Sequence, residues 1–421
     1  MRVLIEPSDY ILRNVGDTAM LTIALERLSD LWPDARIQVL TDQPDHMPRP
    51  GRNVEPLSCI GRSLWFHQPW TEERRSRFAH ALSPPLNRVR RLLRRSYPEL
   101  AYRALCRWGG LAAEEVAQLT AFFEAVSEAD LLVVTGMGGI TSAFPNYAFE
   151  LLEVIRCAQR FGAKTALLGQ GLGPIEIKKL RRNTAAALRR VDLLALREGR
   201  AGLPLLESLN VPLTRVIVTG DDAIELACRY ARGTVGYGIG VNLRHAYYAG
   251  VEPRNIQKIR PVLHQLSDRI GAPLIGVPIS RVPGEEDAIT IAKLIRDRDT
   301  EADDLSRIRM PKDVVVQLQQ CRVLVAGSYH AGVFALSSGI PTVALVNSPY
   351  YVDKFLGLAD MFGLGCQVIR IDERRFPESL TQAVLAAWAS AEKIREPLVA
   401  AAREQLRQGQ AAYAKLKELL E

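Results

Sequence analysis

The chain has 421 residues, 48% of them hydrophobic and 24% charged, with a net charge of +7. That is apolar material for two or three packed domains at about 150 residues each, and it excludes a disordered, collagenous or disulfide-stapled chain. No run approaches the ~20 apolar residues of a bilayer helix.

The first residues, MRVLIEP, are interrupted too soon by Glu6 and Pro7 for a signal peptide. They read as a first strand, and a cytoplasmic protein is expected. Further β-rich apolar runs follow at 35–40, 130–139, 164–173, 192–198 and 214–222. After RGTVGYG a second set begins, at 238–244, 272–280, 321–330 and 341–347. Helical patterns fill the gaps, and the tail from about 377 to 421 has helix-favouring composition. Strands alternating with helices mean βαβ units, and strands buried on both faces read as near-continuous apolar runs. The fold class is therefore α/β: two Rossmann-like parallel-sheet domains, 1–233 and 234–421, facing each other across a cleft, with a helical tail.

Between Arg74 and Arg107 lie ten arginines and one acid, Glu99. This basic helical stretch sits within 45–128, whose counterpart elsewhere is hardest to assign. It reads as a solvated helical face or as a surface for an anionic membrane. Trp65, Trp70 and Trp108 there suit a sugar platform, a lipid-facing surface or an oligomer contact. No zinc finger or other nucleic-acid motif accompanies the charge, so nucleic acid is not expected. The six cysteines lack CxxC spacing and read as small buried hydrophobes, with no metal site.

Ligands of such sheets sit beyond the carboxyl ends of the strands. Asn14, Gly16 and Asp17 open the first helix, where they either cap it or present amides and a carboxylate to the cleft. Gly138 and Gly139 follow one strand, and Gln170 and Gly171 end another; the glycines mean close backbone approach, to a ligand or to a neighbouring helix. Neither cluster is a GxGxxG fingerprint. The densest cluster is Gly327-Ser328-Tyr329-His330-Ala331-Gly332, where a strand turns straight into a helix. There His330 and the amides near Gly332 would hold a phosphate. Asn242 and Arg244, Arg197, Arg281 and Lys354 also lie after strands, so several cations are expected to converge on an anionic ligand.

In order, NVGDTAML, TGMGGI, GQGLGPI, LREG, VTGDDAIEL, GVNLR, GSYHAGVFALSSGIP and DKF resemble the polysaccharide pyruvyl transferase family. The resemblance implies a GT-B-like fold. It also implies transfer of the enolpyruvyl group of phosphoenolpyruvate onto two hydroxyls of a glycan, lipid-linked saccharide or sugar-like acceptor, forming a cyclic ketal and releasing phosphate. Phosphoenolpyruvate is then a co-substrate, and no cofactor or metal is required. His330 would be the active-site histidine and Arg244 and Lys354 donor contacts, with Ser328, Tyr329, Gly332, Arg281 and Asn242 beside them. Many members carry arginine where this chain has Ser328. His330 is expected as general acid and Asp17 as base or hydroxyl anchor. The competing readings are a GT-B glycosyltransferase using a nucleotide sugar, with Glu285-Glu286-Asp287 near the ribose, and a family member without catalysis. A peripheral contact at the inner membrane face and a homo-oligomer stay open.

Overall fold

A computed structural model describes residues 1–66, 92–231, 233–295 and 305–421. Two all-parallel sheets form the frame. The first contains β1 (Arg2–Glu6), β2 (Arg36–Leu40), β3 (Val54–Leu57), β4 (Leu131–Val134), β5 (Lys164–Gln170), β6 (Leu193–Leu196) and β7 (Val216–Val218), in the order β3-β2-β1-β4-β5-β6-β7. The second contains β8 (Gly238–Asn242), β9 (Leu274–Gly276), β10 (Cys321–Ala326), β11 (Thr342–Val346) and β12 (Cys366–Arg370), in the order β12-β11-β10-β8-β9. The central strands are buried on both faces: all four residues of β4 and all five of β8 and of β11 are buried. That burial is why they read as unbroken apolar runs.

Two strands escaped the sequence reading, and both are sheet edges. β3 lies inside the 45–128 region, so that region supplies an edge of the first sheet and is not helical throughout. Only its end residues are buried, and Pro56 is tolerated because an edge strand need not donate on its outer side. β12 is half-exposed and polar, which weakens its apolar signal.

The tail forms one helix, Phe376–Glu418. Its first half packs on the second sheet, burying Phe376, Leu380 and Val384 in that core. Its last turns return to the first sheet, where Ala412, Tyr413 and Leu416 join Val3 and Ile5. Tyr413 also donates to Asp222 Oδ2 at 2.9 Å. The first helix, Val15–Leu31, is shared likewise: Val15, Ala19, Met20 and Ile23 enter the second core, while Leu21, Leu25 and Leu28 enter the first. Direct bonds link the halves as well. Val15 N–H donates to Ile279 C=O at 3.0 Å, and Tyr350 Oη donates to Gly138 C=O at 2.8 Å.

Much of the basic stretch, including Trp70 and Pro84-Pro85, lies outside the described residues. Of the rest, Arg94 is buried against Glu153 and the Trp65 carbonyl. The helix Pro98–Trp108 buries Ala101 and Leu105 and exposes Leu100, Arg103, Arg107 and Trp108 on other faces. Cys59, Cys157 and Cys321 are buried, whereas Cys106, Cys228 and Cys366 are only partly so. No helix among the described residues is long and apolar enough to cross a membrane.

Candidate active site

In each sheet the strand order reverses once, between β1 and β4 in the first and between β8 and β10 in the second. At such a reversal adjacent loops diverge and leave a crevice at the carboxyl ends of the strands. Here the two crevices face each other and enclose a cavity of about 340 Å³. The first half contributes Ser8, Asn14, Asp17, Met137, Gly138, Gly139, Phe144, Tyr147 and Arg197. The second contributes Arg244, Tyr248, Ser328, Tyr329, His330, Tyr350, Tyr351 and Lys354.

Three cations reach this space from separate elements. Arg244, just beyond β8, is buried, and its Nε donates to Asp287 Oδ1 at 3.0 Å. Asp287 is fully buried and also accepts from the Ile279 and Ser280 amides and from Asn242 Nδ2. Arg197, just beyond β6, has its guanidinium carbon over the Tyr329 ring, 4.1 Å from its centre. Its Nη1 is 3.7 Å from Asp221 Oδ2. Arg197 Nε and Nη2 and Arg244 Nη2 are buried without a hydrogen-bond partner among the described residues. Lys354 stands over the Tyr350 ring at 3.9 Å. Burial and the nearby Arg197 and Arg244 push its ammonium well below the usual lysine range, against the pull of Asp17 and Asp221.

His330 occupies the first turn of the helix Tyr329–Ser337, all nine residues of which are buried. Its Nε2 is 3.7 Å from Asp221 Oδ2, an ion-pair approach longer than a hydrogen bond. Burial would raise the Asp221 carboxyl, but His330 and Arg197 bring it below the usual carboxylate value. On its other side the imidazole rests on Gly16, where a Cβ would sit 2.0 Å from the ring. Asp17, half-buried on the same helix as Gly16, is raised above the ordinary carboxyl range by burial, against the lowering effect of His330 and Arg244. Asn14 caps that helix, its Oδ1 accepting from Gly16 N–H at 3.1 Å.

Thus Asn14, Asp17, Gly138, Gly139, Arg197, Arg244, Ser328, Tyr329, His330 and Lys354 line one cavity. Other residues that sequence placed there do different work. Gly16 and Gly171 floor the site: a Cβ on Gly171 would lie 2.7 Å from the Arg197 guanidinium. Gln170 points into the sheet, its amide donating to the carbonyls of Val134, Thr135 and Leu168. Asn242 is a brace, since its Oδ1 accepts from Ser328 N–H at 2.8 Å while its amide reaches Asp287. Gly332 faces Phe355 and Leu358, so it is a packing position rather than a phosphate contact. Arg281 lines a different cavity. Conversely, Asp221 escaped the sequence reading as a site residue, and Asp287, read there only as an acid for a ribose, instead pairs with Arg244. Asp221 stands three residues past β7, the same strand-end address that singled out the cations. Asp287 opens a helix where the sequence suggested a loop. Among the described residues no cluster of three or more His, Cys, Asp or Glu is placed to hold a metal.

The sequence profile described as polysaccharide pyruvyl transferase matches residues 14–349, spanning every lining residue but Ser8, Tyr350, Tyr351 and Lys354. The chain belongs to the polysaccharide pyruvyl transferase family. It is a transferase of that family with a GT-B-like fold. No functionally curated protein matches it significantly. Among solved structures, Os79 from O. sativa in complex with U2F and trichothecene is similar with a TM-score of 0.56 at 14% identity, over 100% of both chains. The UDP-GlcNAc 2-epimerase from Neisseria meningitidis bound to UDP-GlcNAc is similar with a TM-score of 0.51 at 12% identity, over 97% of this chain and 99% of that one. At these identities the likeness concerns the fold.

Proposed function

We propose that this pyruvyl transferase family member uses phosphoenolpyruvate as donor and forms a cyclic ketal on two hydroxyls of a glycan or sugar-like acceptor. The observation that carries this reading is the set of buried, unpartnered guanidinium donors of Arg197 and Arg244 facing a cavity that also holds Lys354. Buried donors without partners are costly, and an anion in the cavity would satisfy them. Phosphoenolpyruvate carries a carboxylate and a phosphate, the groups that guanidinium forks match. Many family members have arginine where this chain has Ser328; Arg197, over the ring of the next residue, Tyr329, supplies a guanidinium to the cavity that Ser328 also lines.

The chemistry then divides among the residues at hand. His330 gives a proton to the donor methylene carbon, leaving an oxocarbenium-like centre. Asp17, a stronger base than an exposed carboxylate because of its burial, takes the proton of the first acceptor hydroxyl as its oxygen bonds to that centre. That proton restores His330. The second hydroxyl oxygen then bonds to the same carbon, the carbon–oxygen bond to phosphate breaks, and the hydroxyl proton leaves with the phosphate. Asp221, whose Oδ2 lies 3.7 Å from the ring Nε2, holds the imidazole in place. Positioned proton transfer of this type is worth about 10²–10⁴-fold.

The nucleotide-sugar reading finds less support. Asp287 is committed to Arg244 and backbone amides, and none of Glu285, Glu286 and Asp287 lines the cavity that holds His330. The direct test is incubation with phosphoenolpyruvate and a panel of saccharides. Phosphate release should match, mole for mole, a product heavier by pyruvic acid less water; release that ignores every acceptor contradicts the proposal. For peripheral membrane contact, the exposed Leu100 and Trp108 beside Arg103 and Arg107 are the support. Flotation with anionic but not neutral vesicles, lost in Trp108→Ala, is the expected outcome.

A further inference from the structure

The halves of the molecule are joined at Asn14, through a backbone bridge to Ser280, and again far along the chain, where the helix Phe376–Glu418 passes from the second core to the first. That second junction bears on the turn Thr219–Gly220–Asp221–Asp222, which links β7 to the helix Ala223–Tyr230. The turn carries the carboxylate that faces His330.

Asp221 has little hold on its own position. Its Oδ1 accepts from the Ala223 amide at 2.9 Å. Its Oδ2, the atom 3.7 Å from both His330 Nε2 and Arg197 Nη1, is buried without a hydrogen-bond partner among the described residues. Where that oxygen stands against the imidazole is therefore set by the backbone of the turn. Asp222, the next residue, is gripped instead. Its Oδ2 accepts from Tyr413 Oη at 2.9 Å and its Oδ1 from Arg27 Nη1 at 3.0 Å. Tyr413 and Asp222 are both buried, and hydrogen bonds to an ionised carboxylate are among the strong ones. Arg27 also lies over the Tyr413 ring at 4.7 Å and gives its Nε to Glu225 Oε2 at 3.0 Å. Gln405 presses on the same turn. Gly220 has φ of +81°, and a Cβ on it would lie 2.6 Å from Gln405 Oε1. The Gln405 amide donates to Met361 C=O at 3.2 Å, on the helix Pro349–Phe362 that carries Lys354.

We propose that Tyr413 and Arg27 are positioning residues for the transfer: by gripping Asp222 they fix the turn that aims Asp221 at His330. Neither lines the cavity, so the carboxyl-terminal helix sets the geometry of proton transfer without meeting a substrate. The inference rests on the pyruvyl-transfer reading, in which His330 carries the proton, and adds to that site a support drawn from the far end of the chain.

The test is a double-mutant cycle on the full chain, with phosphate release and phosphoenolpyruvate affinity both measured. Tyr413→Phe removes one hydroxyl and keeps the ring against Arg27. It should lower kcat roughly tenfold with donor affinity unchanged, less than the ~10²-fold cost of a 1 Å displacement because Arg27 still holds the other oxygen of Asp222. Arg27→Lys, which keeps the charge but loses the fork between Asp222 and Glu225, should act in the same direction. In an Asp221→Asn background, where the aimed charge is already gone, Tyr413→Phe should change kcat by less than about twofold. Equal losses in both backgrounds, which a purely structural role predicts, overturn the proposal, as does an unchanged kcat in Tyr413→Phe alone. A second readout needs no turnover. In protein carrying isotope-labelled histidine, Tyr413→Phe should shift the ring nitrogen signals of His330, assigned by their loss in His330→Gln, and Asp221→Asn should abolish that response. Ring signals that ignore Tyr413→Phe overturn the proposal. If the wild type leaves phosphoenolpyruvate intact, the transfer reading fails by itself, and these signals still decide whether the tail aims Asp221.

Discussion

The contact between Gly16 and His330 yields the sharpest expectation. A Cβ built on Gly16 would lie 2.0 Å from His330 Cγ and 2.2 Å from Nδ1, whereas carbon atoms pack at about 3.5–4.0 Å. Gly16→Ala therefore drives the imidazole back by roughly 1.5 Å, because the alternative is to move the helix that Asn14 caps and Val15 ties to Ile279. A shift of about 1 Å in a reacting group costs on the order of 10²-fold in rate, and overpacking of this kind costs about 1–3 kcal/mol in stability. Steady-state phosphate release should show kcat reduced about 10²-fold. Donor affinity, read from the thermal shift with phosphoenolpyruvate, should change little, because Arg197, Arg244 and Lys354 sit on other elements. A folded Gly16→Ala protein with wild-type turnover would refute the assignment of His330, as would one that loses donor binding and turnover in equal measure.

The remaining expectations concern the carboxylates and the lysine. Asp221→Asn keeps an acceptor for the Ala223 amide but removes the charge beside His330, so kcat should fall by roughly 10²–10⁴ with donor KM preserved; an unchanged kcat contradicts the role given to Asp221. Asp287→Ala strands the buried Arg244 charge, and denaturant melts should show a loss of about 3–5 kcal/mol, partly recovered by phosphoenolpyruvate. Unchanged melts would contradict that ion pair. Lys354 has a folded-state value below its unfolded one, so between the two the unfolded chain holds more protons and stability rises with pH. Binding an anionic donor should draw a proton back onto Lys354. Calorimetry in buffers of different ionisation enthalpy should therefore report proton uptake above neutrality, abolished in Lys354→Met. Proton release on binding would overturn this reading of the site.

The central strands announced themselves because burial on both faces demands apolar residues throughout, as in β4 and β8. β3 and β12 did not, since an edge strand meets solvent and can carry Pro56, Gln367 or Arg370. The same logic separates the site residues. His330, Arg244, Arg197 and Asp17 stand where a strand ends or a helix begins, and that address is legible in the sequence. The direction of a side chain is not. Gln170 and Asn242 share the address yet point inward to backbone carbonyls and to Asp287, and Arg281 points across the Asn14–Ser280 bridge into the neighbouring cavity. Asp221 was obscured, and Asp287 given the wrong partner, for a related reason. An acid beside a helix start reads as a cap, and only packing of the two halves shows which buried cation it faces.

The account's central claim is that cations from both halves of the molecule bind phosphoenolpyruvate in one pocket. Calorimetric titration of phosphoenolpyruvate into wild type, Arg197→Ala and Arg244→Ala tests it most directly, since one arginine comes from each sheet. The account predicts a single site in the wild type, weakened roughly 10- to 150-fold by either substitution. Equal affinity in all three proteins, or loss with only one of the two arginines, would contradict it.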